Sequence, residues 1–195
     1  MPPGEGALPT AFFARRVTVV ARELLGVRLV STVDGVTTSG VIVETEAYQG
    51  REDPASHAAT LVGRTARNAA LFGPPGRAYV YRIYGMHWCA NVVTGAEGDP
   101  QAVLIRALDP LLGVEEMRRR RGGAGGLTSG PGRLCQALGI TGAFYGHDLS
   151  LPPLALRQGW MVPDDRVERS GRIGVSAAAD WPFRFFVRDC PEVSR

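Results

Sequence analysis

Hydrophobic and polar positions alternate most clearly over Val36 to Tyr48, VTTSGVIVETEAY. A two-residue period sends successive side chains to opposite faces of a strand. It groups Val41, Val43, Thr45 and Ala47 on one face and Ile42, Glu44, Glu46 and Tyr48 on the other. The first set predicts a core face. The second is either an ordinary solvated strand face or a surface that presents two carboxylates and a ring to a ligand. The apolar run Val27 to Thr32 precedes it, and Asp34-Gly35 between them is a strong hairpin signal. Further strands are expected at Ala78 to Ile83, Trp88 to Val93, Ala102 to Ala107 and Arg184 to Arg188. Helical spacing appears at Thr18 to Leu25, stopped by Gly26, and at Arg64 to Phe72, which ends before GPPG. Two more helices are expected, Leu111 to Arg121 and one opened by Pro131 that runs to Leu138, with Ser129 near its start. Strands in hairpin order with helices interspersed predict an α+β fold around a curved, mainly antiparallel β-sheet.

The 195 residues, 45% of them hydrophobic, suffice for one sizeable core. A single domain over residues 9–195 is expected behind a short flexible leader, residues 1–8. No internal repeat interrupts it. The leader lacks the basic start and apolar core of a secretion signal, and no apolar run approaches the roughly 18 residues of a membrane span. No membrane partner is therefore expected. Cys89, Cys135 and Cys190 are odd in number and have no CxxC spacing, which argues against a disulfide framework or a structural zinc site. A reduced, cytoplasmic setting follows, associated with the nucleoid if the cell is prokaryotic. Three histidines without HExxH spacing argue against a catalytic metal.

Charge sharpens the picture. The net charge is +3, and all 22 basic residues are arginine; the chain has no lysine. A lysine Schiff base is thereby impossible, which removes pyridoxal enzymes and lysine-based lyases. A Walker A phosphate loop is excluded too, because its lysine is missing. The run RRRRGGAGG, Arg118 to Gly126, is either a solvated helix end passing into a loop or a phosphate-contacting arm.

Candidate chemistry gathers in two strings, VETEAY and YVYRIYGMHWCAN. Tyr79 and Tyr81 share a strand face. Tyr84, Gly85, Met86 and His87 form the following turn, where Asn, Asp, Gly or Ser is the usual choice. A Tyr and a Met there suit a wedge between base steps, or a tip folded back onto the body. Arg106 lies inside the apolar string VLIRAL, so its charge needs a partner. Glu46 is one candidate. If they meet, the arginine keeps the carboxylate ionised, as a general base must be; a purely structural salt bridge is the competing reading.

Those residues carry a resemblance. From about Leu8 to Val193 the chain resembles the alkyladenine DNA glycosylase family, the mammalian-type 3-methyladenine DNA glycosylases. The strings that carry it are GVIVETEAYQGREDPASH, RTARNAALF, GRAYVYRIYGMHWCANVV, AVLIRALDP, SGPGRLCQAL and RIGV. The resemblance implies a fold with a protruding hairpin that inserts into DNA. It implies that Glu46 is the general base for the attacking water, with Arg106 beside it and the Ile173 carbonyl as a further contact to that water. Tyr48, His57 and Tyr81 match the aromatics that sandwich the extruded base. Asn91 matches the side chain that obstructs the amino group of normal guanine. Tyr84 matches the inserted residue, and Met86, Arg64, Thr65, Arg121 and Arg133 match DNA-contacting positions. The implied partner is double-stranded DNA with damaged purines; the implied protein is a monomer without a cofactor. The chain departs from the family pattern at His87, where the pattern has a tyrosine, and at Gly73 to Gly76, where it has a basic residue.

Two other functions fit parts of the chain. A carbohydrate glycosidase would use Glu44 and Glu46 as its carboxylate pair, and leaves Tyr84 unexplained. A non-catalytic module for distorted DNA would use Tyr84, and leaves Glu46 without a role.

Overall fold

The computed structural model describes residues 6–56 and 63–194. Asp34 and Gly35 take φ of 53° and 75°, the left-handed pair a tight hairpin needs. They join β1, Arg28–Val33, to β2, Val36–Tyr48. Next come β3, Ala78–Ile83, β4, His87–Thr94, and β5, Gln101–Leu112. Three short strands follow: β6, Leu154–Arg157, β7, Val167–Ser170, and β8, Arg184–Val187. The order is β3-β4-β5-β2-β1-β6, with β8 also on β2 and β7 on β8. Every pairing is antiparallel. The result is a curled antiparallel half-barrel in a single α+β domain, as the hairpin order predicts.

Helices α1, Thr10–Phe13, and α2, Val17–Glu23, precede the sheet; α3, Val114–Arg120, and α4, Pro131–Leu138, follow β5. Helix α2 buries Val17, Val20 and Ala21, and α4 buries Leu134, Cys135, Ala137 and Leu138. These side chains meet Ile42, Ala47, Val80, Ala90, Val92, Val103, Ile105 and Leu108 in the main core. The opposite sheet face is thus left for chemistry at its centre. One end of that face is closed by Leu71 and Phe72, which pack on Tyr79, Val93 and Ala102.

Strict alternation fails midway along β2. The β2–β5 register shifts at Ile42/Glu44 and again at Glu44/Thr45, and a bulge of this kind re-aims side chains. Ile42 therefore points into the main core, and so does Ala47, while Thr45 donates from its hydroxyl to the Ala21 carbonyl of α2. Ile42 does not share a face with Glu44, Glu46 and Tyr48, contrary to the alternation. The irregularity sits where β2 exchanges partners: β1 pairs with it up to Val41, and β8 takes over from Glu44 to Glu46.

Strands β6 and β7 have no counterpart among the expected elements, and several boundaries differ from expectation. Residues 64–72 form only a 3-10 turn, Ala69–Phe72, because the Asn68 side chain accepts from both the amide and the hydroxyl of Thr65. Side chains of this type compete with helix formation by offering the backbone a local partner. Strand β5 runs on to Leu112, and Gly113 at φ 74° ends it, so α3 starts three residues late. Helix α4 begins as expected, but its N-cap is Gly130 and Ser129 makes no cap. Of the expected leader, Leu8 joins the core and Ala7 bridges Arg157.

Candidate active site

Directly opposed residues on paired strands share a face. Glu46 opposes Leu104, which opposes Asn91, which opposes Tyr79. Glu44, Tyr48, Arg106, Cys89 and Tyr81 fall on the same face by strand parity. The fold thus brings Glu46, Arg106, Tyr48, Tyr81 and Asn91 into one region. His57 lies outside the described residues.

Glu46 has no solvent exposure. Its Oε1 accepts from the Ile173 amide at 2.7 Å, and its Oε2 accepts from Tyr48 Oη at 3.0 Å and Arg106 Nη1 at 3.2 Å. A carboxylate has about four acceptor positions, so three donors leave room for one more on Oε1. Burial pushes the carboxyl pKa up, and Arg106, the Ile173 amide and Tyr48 push it down; burial prevails. Arg106 and Glu46 do meet, and the arginine is the largest influence opposing the rise that desolvation causes. A base tuned upward suits proton abstraction near neutral pH better than an ordinary glutamate does.

Arg106 is the hinge of a buried charge cluster. Its Nε donates to Glu44 Oε1 at 3.1 Å and its Nη2 to Ser194 Oγ at 3.3 Å. Glu44 is equally buried and also accepts from Arg184 Nε at 2.7 Å, from the Ser194 amide at 2.7 Å and from Ser194 Oγ at 2.8 Å. Four donors thus hold Glu44, against three on Glu46, and two of the four are guanidiniums, which suits a fixed anchor better than the partner acid of a carboxylate pair.

Tyr48 stands between this cluster and a second one. The Arg172 guanidinium lies 4.8 Å from the Tyr48 ring centroid and 5.4 Å from that of Phe183. It is fully buried, forks onto both oxygens of Asp53 and donates to the Ala47 carbonyl at 2.9 Å. Burial raises the Tyr48 hydroxyl pKa, with Glu46 and Tyr81 adding to it, so the phenol stays a hydrogen-bond donor. Tyr81 is raised mainly by burial as well, and its ring centroid is 5.1 Å from that of Tyr79. Asn91 donates from Nδ2 to the Tyr79 carbonyl at 3.0 Å, which fixes its amide.

The tip of the β3–β4 hairpin projects. Tyr84 is 85% exposed and Met86 68% exposed, so the tip is not folded back. Tyr84 takes φ 50° and Gly85 φ 69°; a left-handed tyrosine costs on the order of 1 kcal/mol. The stem is seated firmly: a β-carbon on Gly132 would lie 3.1 Å from His87, and one on Gly142 only 2.8 Å from Trp88.

The basic positions divide. Arg118 to Arg120 pair with Glu115 and Glu116 of their own helix, as a solvated helix end does. Arg121 donates to Gln136 and Arg133 to the Ser129 carbonyl. Burial, and then the nearby Arg133 charge, lowers the Arg121 pKa. Arg64 is exposed, and Thr65 is engaged with Asn68. Among the described residues, no group of three or more His, Cys, Asp or Glu could hold a metal ion.

Sequence reasoning gave no role to Arg172, Asp53, Arg184 and Ser194. The only signal was the presence of Arg172 and Asp53 in the strings RIGV and EDPASH, beside residues already singled out.

The family model for methylpurine-DNA glycosylase matches residues 11–191. A protein of Rhodopseudomonas palustris strain HaA2 is 54% identical, over 94% of this chain and 88% of its own length. One from Myxococcus xanthus is 51% identical, covering 96% and 93%. One from Methanoculleus marisnigri is 48% identical, covering 96% and 98%. Each of the three is described as a candidate 3-methyladenine DNA glycosylase. With the match running from α1 to the turn after β8, the chain belongs to the methylpurine-DNA glycosylase family.

Proposed function

We propose that this protein is a monofunctional DNA glycosylase that extrudes alkylated purines, chiefly 3-methyladenine, and hydrolyses their N-glycosidic bond with a water activated by Glu46. The observation that carries this reading is a buried carboxylate, held by three donors with one acceptor position free, on a face that also bears Tyr48 and Tyr81. A base stacked in a duplex is unreachable, so it must be flipped out at a cost of roughly a few kcal/mol. Stacking on Tyr48 and Tyr81, with His57 as a third ring, returns on the order of 1–3 kcal/mol per contact. The positive charge of an alkylated purine makes it a good leaving group and favours contact with electron-rich rings. Asn91, fixed by the Tyr79 carbonyl, is the proposed obstacle to normal guanine, and the Ile173 carbonyl the proposed second contact to the water. With no lysine in the chain, the sugar meets no side-chain amine for a Schiff base. The product should be an abasic site in an unbroken strand. No helix among the described residues is long and apolar enough to cross a membrane. The proposed protein is a monomer acting on chromosomal DNA in the cytoplasm.

The test is incubation with methylated duplex DNA, following both free bases and strand integrity. Release of 3-methyladenine with alkali-labile but unbroken strands is the expected result; 7-methylguanine, hypoxanthine and ethenoadenine form the wider panel. Tight binding to distorted DNA without release of any base would sink the enzyme reading in favour of a binding module.

The wedge has its own prediction. Tyr84→Ala removes a side chain that touches almost nothing in the free protein, so Tm should be unchanged. Affinity for lesion-bearing duplex should fall about 5- to 30-fold, as lost stacking requires. Equal binding of both proteins would show that the exposed tip does not enter DNA.

A further inference from the structure

The Tyr48 ring has two faces, and Arg172 occupies one of them at 4.8 Å. A purine can use only the other. A cation behind an aromatic ring draws on the same electron density that attracts a cation in front of it. An unscreened guanidinium there would therefore work against the charged bases that the proposed function requires. Asp53 removes that conflict. Its two oxygens take the Arg172 fork, with Nη2 at 2.8 Å from Oδ1, and neither side chain reaches solvent. The loop holds Asp53 in turn, through the Gln49 and Ala55 amides at 3.0 Å each. The same arginine precedes Ile173, whose amide fixes Glu46, and binds the carbonyl of Ala47, between Glu46 and Tyr48.

We propose that Arg172 is a positioning residue, fixing the Tyr48 ring and the Ile173 amide, and that its buried pairing with Asp53 sets the preference for cationic over neutral purines. This rests on the reading of the protein as a base-flipping glycosylase. The magnitude follows from Coulomb's law. A purine stacked about 3.5 Å from the open face of Tyr48 lies roughly 8 Å from the guanidinium. At an effective dielectric of about 20, one unbalanced charge at that distance changes affinity on the order of 30-fold.

The experiment measures binding of duplexes that carry 7-methylguanine, which is cationic, or ethenoadenine, which is neutral, in a Glu46→Gln background that prevents cleavage. The readout is the ratio of the two Kd values. Asp53→Asn leaves the arginine charge unbalanced and should shift the ratio against 7-methylguanine by about 10- to 30-fold. Arg172→Gln leaves the aspartate charge and should shift it the other way. The double variant should return the ratio to within about 3-fold of the parent, although both affinities are weaker. A purely structural pair would weaken both duplexes equally in every variant, and that result overturns the proposal. If Asp53→Asn does not fold, the opposite shift in Arg172→Gln still decides the matter. A parent that fails to prefer either lesion over undamaged duplex overturns the glycosylase reading itself, and the inference with it.

Discussion

Glu46→Gln should bind lesion-bearing duplex as well as the wild type does, yet release bases about 10²- to 10⁴-fold more slowly, the usual worth of a general base. The substitution keeps the shape of the side chain and removes only its ability to take a proton. Its structural effect is small. Arg106 retains Glu44 as a partner, and the neutral amide no longer carries the desolvation that raises the glutamate pKa. Against this, one of the three donors around Glu46 meets an amide N–H in place of an acceptor, at about 1–3 kcal/mol. The variant should be folded, with a Tm a few degrees lower. The pH profile gives an independent check. Only the deprotonated carboxylate accepts a proton, so the wild-type rate should fall as pH drops through its raised pKa. The acid limb should therefore lie above 4.5, the ordinary value for glutamate. Glu46→Gln should lose that limb. Equal rates for the two proteins would leave the activity standing and remove Glu46 as its base.

Arg106→Ala should damage both stability and activity. The guanidinium joins Glu44 to Glu46 and also reaches Ser194. Among the described residues, its removal leaves Glu44 with only Arg184 as a charge partner and Glu46 with none. Breaking a buried pair on one side costs about 3–5 kcal/mol, since the remaining charge cannot be rehydrated. For a domain of this size that corresponds to a fall in Tm of roughly 6–20 °C. With its main counter-charge gone, the Glu46 pKa rises further, and activity at neutral pH falls as less of the base is ionised. Arg106→Lys separates the two effects. An ammonium restores charge but not the three-way fork, so it should recover part of the Tm and little of the rate. A Tm for Arg106→Ala within 2–3 °C of wild type would mean that the cluster holds nothing in place.

The two results concern carboxylates two residues apart that have different roles. Glu44 and Glu46 are equally buried. Glu44 accepts from two guanidiniums and twice from Ser194, which makes it a fixed anchor. Glu46 accepts from one guanidinium, one amide and one phenol, which leaves it able to bind a water. A strand alternation cannot separate them. The difference arises from β8 and residue 194, about 140–150 positions further along the chain.

The sequence by itself determined the α+β class, the Asp34-Gly35 hairpin, the long β2 and the β3–β4 hairpin with Tyr84 at its tip. All of these follow from local period and turn chemistry, which act over a few residues. It also determined the absence of lysine and, through strings spread along the chain, the family. Tertiary structure decided the rest. The bulge that sends Ile42 into the core while Glu44 and Glu46 face the site depends on β2 changing partners from β1 to β8. The reach of β5 to Leu112 depends on its register with Ser39 and Gly40. The rise of the Glu46 pKa depends on how completely the fold excludes water, which no spacing encodes. The Asp53–Arg172 pair, 119 residues apart in sequence, depends on the fold burying both charges together, where each needs a partner.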